Sequence, residues 1–209
     1  IYSLDCPSAL EAELSALEQM HIPAQWTKPS DLPFQTVGAI RFPNQAQFHP
    51  LKFVSRIVKG MNIFENTTAR GFVGNTVLTD RGKITAKKII VATHFPFLNK
   101  HGSYFLKLYQ ERSYVLALEN AADVKGMYLD KAKGGLSLRN YENLLLLGGD
   151  SHRTGKPGDG WAGLERVAKT YYPNAKVVAR WATQDCISLD GIPYIGQYSP
   201  RTPNLLVAT

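Results

Sequence analysis

An α+β fold, with a mixed or antiparallel sheet and helices beside it, is predicted by three observations on the 209-residue chain. Helical apolar spacing is confined to three stretches. Most of the remainder consists of short runs rich in Val, Ile, Thr and Leu, bounded by Gly, Pro and Asx turns. The two kinds of segment do not alternate in the regular strand–helix–strand order that a doubly wound parallel sheet requires.

Taken in order, Leu10, Leu14, Leu17 and Met20 recur at helical intervals and predict a helix over Pro7 to Met20. Pro7 suits a first helical turn, and Pro23 ends the segment. Residues 24 to 35 are Pro-rich and irregular, and Thr36 to Phe42 reads as a strand. His49-Pro50 opens a second helix with an apolar stripe of Phe53, Val54, Ile57 and Val58, and Gly60 is its expected stop. Strands are then predicted at Asn62 to Thr67, Thr76 to Thr79 and Lys83 to Ala92, the last two joined as a hairpin by Asp80-Arg81-Gly82. The unbroken apolar run Lys88 to Ala92 predicts a strand covered on both faces. Further strands are expected at Ser113 to Glu119, Met127 to Asp130 and Leu144 to Gly148, then a glycine-rich loop from Gly148 to Gly160. Trp161 to Tyr172 is the third helix, and strands close the chain at Val177 to Thr183, Tyr194 to Gln197 and Leu205 to Ala208.

Composition narrows the function classes. Apolar residues are 44% and charged residues 20% of the chain, as in an ordinary globular protein. No run approaches the roughly 18 apolar residues of a membrane span. The opening residues lack the basic and apolar regions of a signal peptide, so a cytoplasmic location is expected. The net charge is +7, but the basic residues are scattered, which speaks for a solvated surface and against a nucleic-acid partner. Cys6 and Cys186 cannot build a disulfide framework, and with His49 and His152 they form no metal-ligand spacing, so no metal is expected. The loop from Gly148 tempts a phosphate-loop reading, but Pro157 follows Gly155-Lys156 and has no N–H to offer a phosphate. The chain starts at Ile1 and stops in the apolar run Asn204 to Thr209, which leads us to expect an incomplete piece.

Four stretches, in order over about 160 residues, carry a resemblance. They are FHPLKFVSRIVKGMNIFENTTARGF (48–72), GKITAKKIIVATHF (82–95), LSLRNYENLLLLGGDSHRTGK (136–156) and RWATQDCISLDGIPYIGQYSPRTPNLLVAT (180–209). Together the chain resembles the FAD-dependent oxidoreductases of the D-amino-acid oxidase/glycine oxidase superfamily. The Trp-x-x-Gln-Asp-Cys wording is similar to the branch with a C-terminal Rieske domain. The resemblance implies oxidation of an amine or amino-acid-like small molecule by hydride transfer to flavin, with positioning of the substrate C–H and no general base. It implies FAD in the full-length parent, absent from this fragment and leaving it inactive alone, because the family's Gly-x-Gly-x-x-Gly pyrophosphate site is not in this sequence. A 2Fe-2S centre in a missing C-terminal domain is implied by the Rieske branch, and the electron acceptor stays open.

The same resemblance places cofactor contacts at Ala69, Ala92, Thr93, His94, Gly191 and Gly196. His94 stands where the family has Gly. Family members carry an arginine four residues after the Trp of the last stretch, to grip a substrate carboxylate; here the position is Asp185, which suits an amine or guanidinium instead. Arg139 and Arg112 are the arginines that could replace the missing one. The resemblance divides the chain into helices and a linking strand (1–60), partial FAD-domain strands (61–95), a substrate-binding domain (96–179) and a return to the FAD domain (180–209). Two alternatives stand beside this reading. One is a non-catalytic module binding a ligand or partner through Trp26, Trp161, Trp181 and the tyrosines; the other is a flavin-dependent hydroxy-acid dehydrogenase.

Overall fold

The computed structural model describes residues 1–98 and 102–209. It is α+β, with four helices and four separate sheets among the described residues.

The chain opens with strand β1 (Tyr2–Ser3) and helix α1 (Pro7–Gln19), which has Pro at its start as expected. Leu10 and Leu17 bury against Ile40, whereas Met20 lies past the last turn and is exposed. Strands β2 (Gln25–Thr27) and β3 (Gly38–Arg41) follow. Helix α2 (Pro50–Ile57) is capped by the His49 ring, whose Nδ1 accepts from the Lys52 N–H. Its apolar stripe forms, with Phe53 edge-on to Phe48, but no α2 residue is buried.

The expected strand at Asn62 to Thr67 is not one. That stretch is irregular, with Ile63 and Phe64 exposed, because no neighbouring strand offers its backbone a ladder. Strand β4 (Ala69–Val73) begins later and pairs with β5 (Thr76–Thr79), which pairs with β6 (Lys83–Thr85). The β5–β6 hairpin turns at Asp80-Arg81-Gly82 as predicted, its ends tied by Thr79 N–H to the Gly82 carbonyl at 2.9 Å. The single strand expected over Lys83 to Ala92 is two strands. After Thr85, the Ala86 N–H turns to the Asn75 carbonyl, and β7 (Ile89–Val91) joins a different sheet.

The short helix α3 (Tyr104–Lys107) leads into the long β8 (Leu108–Glu119), β9 (Met127–Leu129), β10 (Ser137–Tyr141) and β11 (Leu144–Arg153). Residues Gly149 to Arg153 had been expected in a loop; a bulge lets β11 run on beside β8 to Arg153. Helix α4 (Trp161–Tyr171), β12 (Lys176–Ser188), β13 (Ile195–Gln197) and β14 (Leu205–Ala208) complete the chain. No described helix is long and apolar enough to cross a membrane.

These elements form two compact units. The first, Ile1–Gln45 with Gln110–Asp185, holds the sheet β12-β8-β11-β10-β9 and the smaller sheet β1-β3-β2. Its core is one face of the large sheet: Leu116, Leu118, Leu138, Leu145 and Leu147 pack with Leu164 and Ala168 of α4. The second unit, Ala46–Tyr109 with Cys186–Thr209, holds the sheets β13-β14-β7 and β4-β5-β6. Its core gathers Ile89, Val91, Leu205 and Val207 with Tyr104 and Leu108.

Strand β7 was expected to be covered on both faces. Only one is: Ile89 and Val91 are buried, while Ile90 is 64% exposed. The alternation of a pleated strand sends Ile90 to a face that no described element of this chain packs upon.

Candidate functional site

In the second unit, β14 runs parallel to β7, with Val207 opposite Val91. Both strands therefore end at the same edge of their sheet, and carboxyl ends of parallel strands are where open α/β sheets place ligands. Four of the predicted cofactor residues meet there. Ala92, Thr93 and His94 follow β7 directly. Gly196 lies in β13 opposite Val207, and the Tyr194 N–H donates to the Thr209 carbonyl at 2.7 Å. The Thr209 hydroxyl donates to the His94 carbonyl, closing this end of the sheet.

His94 has φ of +64°, the left-handed conformation that glycine adopts freely. The histidine bears the strain of that conformation. Gly191 sits in the preceding turn at φ +74°, with Asp190 accepting from the Ile192 N–H at 3.1 Å. That bond holds the Asp190 carboxyl below the usual carboxylate range. A Cβ added at Gly191 or Gly196 would meet nothing within 4 Å, so their backbones face open space. Ala69 is set apart from this group: it starts β4, in the other sheet of the unit, opposite Thr79. Nearby, Asp80 accepts from the Thr68 N–H at 2.9 Å, and this bond lowers its pKa.

The three predicted substrate residues belong to the first unit and its large sheet. Arg112 and Tyr114 share the face that α4 covers. The Arg112 guanidinium lies 5.9 Å from the Tyr114 ring centre, and the Tyr114 hydroxyl meets His152 Nε2 at 3.1 Å. Trp161 at the start of α4 packs edge-on to Tyr114, its N–H donating to the Trp181 carbonyl, with Arg180 over its ring. Arg112 thus lies on the α4 side of the sheet, beside the Tyr114 ring.

Asp185 and Arg139 point the other way. Gln184 bonds to Gln110, on the Arg112 face of β8, so the alternate residues Trp181, Thr183 and Asp185 occupy the opposite face. Arg139 pairs with Leu146 and Met127, out of step with the core leucines, and takes that same face. Yet strands β8 and β11 lie between the Asp185 and Arg139 strands. Arg139 is level with Ala117 of β8 and Asp185 with the neighbourhood of Gln110. At about 4.8 Å per strand and 3.3 Å per residue, the two are more than about 20 Å apart. The structure brings no two of these three charged groups together.

Sequence reasoning missed Thr209 and Tyr194, which tie the carboxyl ends of the strands together; their contribution is backbone pairing and a hydroxyl bond between distant residues, which no local pattern announces. It also missed Ser113 and Ser151, whose hydroxyls meet at 2.9 Å beside the β11 bulge. Among the described residues, no three His, Cys, Asp or Glu side chains gather around a point where a metal could sit.

Small residues and open backbone thus meet at the carboxyl ends of two parallel strands. Residues 5–209 match the family model described as DAO, FAD dependent oxidoreductase, and the chain belongs to that family. Among curated relatives it is similar to the putative Rieske 2Fe-2S iron-sulfur protein YhfW of Bacillus subtilis, 33% identical over 96% of this chain and 43% of that protein. Among solved structures it superposes on glycine oxidase from Geobacillus kaustophilus with a TM-score of 0.79 at 19% identity, over 99% of this chain and 63% of that one. L-proline dehydrogenase from P. horikoshii gives 0.78 at 15% identity, over 99% of this chain and 65% of that one. The chain thus spans less than two thirds of each of these proteins.

The family implies FAD, and the residues present fit one edge of it. Exposed Ala92 and Thr93 and the open backbones of Gly191 and Gly196 leave room for a flat ring to approach main-chain groups.

Proposed function

We propose that this chain is the substrate-binding part, with the second half of the flavin-binding part, of an enzyme that oxidises an amine. The first unit carries the substrate residues and the second unit carries Ala69, Ala92, Thr93, His94, Gly191 and Gly196 toward the cofactor. FAD, when bound, supplies the hydride acceptor. This chain's own contribution is positioning. The backbone at Ala92 to His94 and Gly191 to Gly196 sets the flavin edge, and Asp185 holds the cationic group of the substrate.

The observation that carries the reading is Asp185 itself. It is an exposed carboxylate with Thr183 and Trp181 on the same strand face, more than about 20 Å from Arg139 and on the opposite face of the sheet from Arg112. A carboxylate selects an ammonium or guanidinium group and repels the carboxylate of a simple amino acid. Support for amine chemistry also comes from the glycine oxidase and L-proline dehydrogenase folds. The likeness to YhfW supports an iron–sulfur centre elsewhere in the full-length protein as the electron acceptor, in place of oxygen.

The test is anaerobic bleaching of the flavin in the full-length protein by amines, α-amino acids and hydroxy acids. Amines lacking a carboxylate are expected to reduce it fastest. Asp185→Asn is expected to raise KM for such amines by about tenfold or more, the worth of a charge-assisted hydrogen bond, with a smaller change in kcat. Fast reduction by hydroxy acids alone would replace this reading with the dehydrogenase one, and no reduction by any donor would leave a binding module.

A further inference from the structure

The β11 bulge re-aims one side chain. Gly149 lies opposite Tyr114 and His152 opposite Arg112, so Asp150 and Ser151 together oppose Ser113 of β8. Without the extra residue, Ser151 would stand opposite Arg112 and turn to the α4 face. With it, Ser151 comes to the other face, where its hydroxyl meets that of Ser113 at 2.9 Å. The arrangement has a cost. Asp150 is held at φ +54°, in the left-handed region, and its Oδ2 is buried against Gly163 of α4 with no hydrogen-bond partner among the described residues. Backbone strain of this kind collects where a side chain is set for a ligand.

The hydroxyl pair stands beside Asp185. The Leu189 N–H donates to the Lys107 carbonyl at 3.1 Å, and Gln184 bonds to Gln110. Strand β12 therefore runs antiparallel to β8, with Asp185 opposite Glu111 and Thr183 opposite Ser113. Ser113 and Asp185 are diagonal neighbours on one face, about 7–8 Å apart at the backbone. Glu111 has Arg153 on its other side, which leaves Asp185 as the carboxylate of that row with no opposite charge next to it. The two serines share one hydrogen bond, and neither hydroxyl makes another among the described residues. One hydroxyl proton and several lone pairs stay open.

We propose that the Ser113–Ser151 pair determines specificity in the substrate site, and that the amine taken there carries a hydroxyl group a few bonds from its cationic nitrogen. The inference rests on the amine-oxidase reading in which Asp185 holds the cation. With the nitrogen at Asp185, a nearby alcohol reaches the serine hydroxyls, which both donate to it and accept from it. An alkyl group in its place would cover those hydroxyls and leave them without a partner. The bulge, not the alternation of the strand, is what brings Ser151 to this face.

The probes are 3-amino-1-propanol and butylamine, cations of the same length that differ in one hydroxyl. Each is titrated calorimetrically into the full-length protein with its flavin already reduced, so that binding is read without turnover. The amino alcohol is expected to bind about fivefold or more tightly, the worth of one hydrogen bond. Ser113→Ala and Ser151→Ala should each remove that preference, and Ser151→Thr, which keeps the hydroxyl, should retain most of it. Asp185→Asn should weaken both amines alike and leave their ratio. A folding defect would also weaken both alike, so the ratio reports on the hydroxyls. Equal affinity for the two amines, or a preference indifferent to both serine changes, would overturn this proposal while the amine-oxidase reading stands. No binding of either amine would remove that reading and this inference with it.

Discussion

The sheets of the two units treat their apolar faces in opposite ways. In the first unit, Leu116 and Leu147 lie opposite one another on β8 and β11 and are sealed under α4 with no exposed surface. In the second, Ile90 of β7 and Ile195 of β13 stand on a face left 64% and 77% exposed. Helix α2 adds an equally apolar, equally uncovered stripe to the same unit. The α4 face of the large sheet is closed by a helix, whereas among the described residues nothing covers the Ile90 face of the second unit's sheet.

The difference predicts unequal responses to the same truncation. Leu116→Ala should cost about 3 kcal/mol in a urea melt of the chain, the toll of a cavity in a closed core. Ile90→Ala should cost well under about 0.5 kcal/mol in the same chain, as surface changes do. In the full-length protein, burial of Ile90 by another segment would raise that cost to about 1 kcal/mol or more, and an unchanged small value there would break the comparison.

Tyr172 sharpens it from the inside. Its hydroxyl is buried in the first unit with no hydrogen-bond partner among the described residues, and burial pushes its pKa up to about 12. Tyr172→Phe should therefore stabilise the chain by about 1 kcal/mol, read as a higher denaturation midpoint. Because the folded pKa lies above the unfolded value near 10, the stability tied to the neutral phenol is whole below about pH 10. It is lost as pH rises toward 12, and Tyr172→Phe should flatten that alkaline decline.

The smallest effect is expected at His94. Replacing it with Gly removes the left-handed strain at φ +64° but adds freedom to the unfolded chain. A net gain of up to about 1 kcal/mol in the thermal melt is expected. A loss would mean that the imidazole makes contacts worth more than the strain.

Much of the fold was legible locally. Pro7 and Pro50 marked helix starts, Asp80-Arg81-Gly82 marked a hairpin, and the leucines of α1 marked a buried stripe, because each signal depends on neighbours a few residues away. The sequence alone also determined the family, through the spaced motifs ending in Asp190-Gly191-Ile192-Pro193, and the Asp185 departure from it. Tertiary structure decided what depends on partners distant in the chain. It cut Lys83 to Ala92 into strands of two sheets, because Thr85 pairs with Thr76 while Ile89 pairs with Leu205. It denied Asn62 to Thr67 a ladder despite a strand-like composition. It gathered Ala92, Thr93, His94 and Gly196 at one sheet end, yet put Arg112 on one face and Asp185 and Arg139 on the other. Strand alternation fixes which residues of one strand share a face, but only pairing across strands decides which side is the core and how far apart two charges stand.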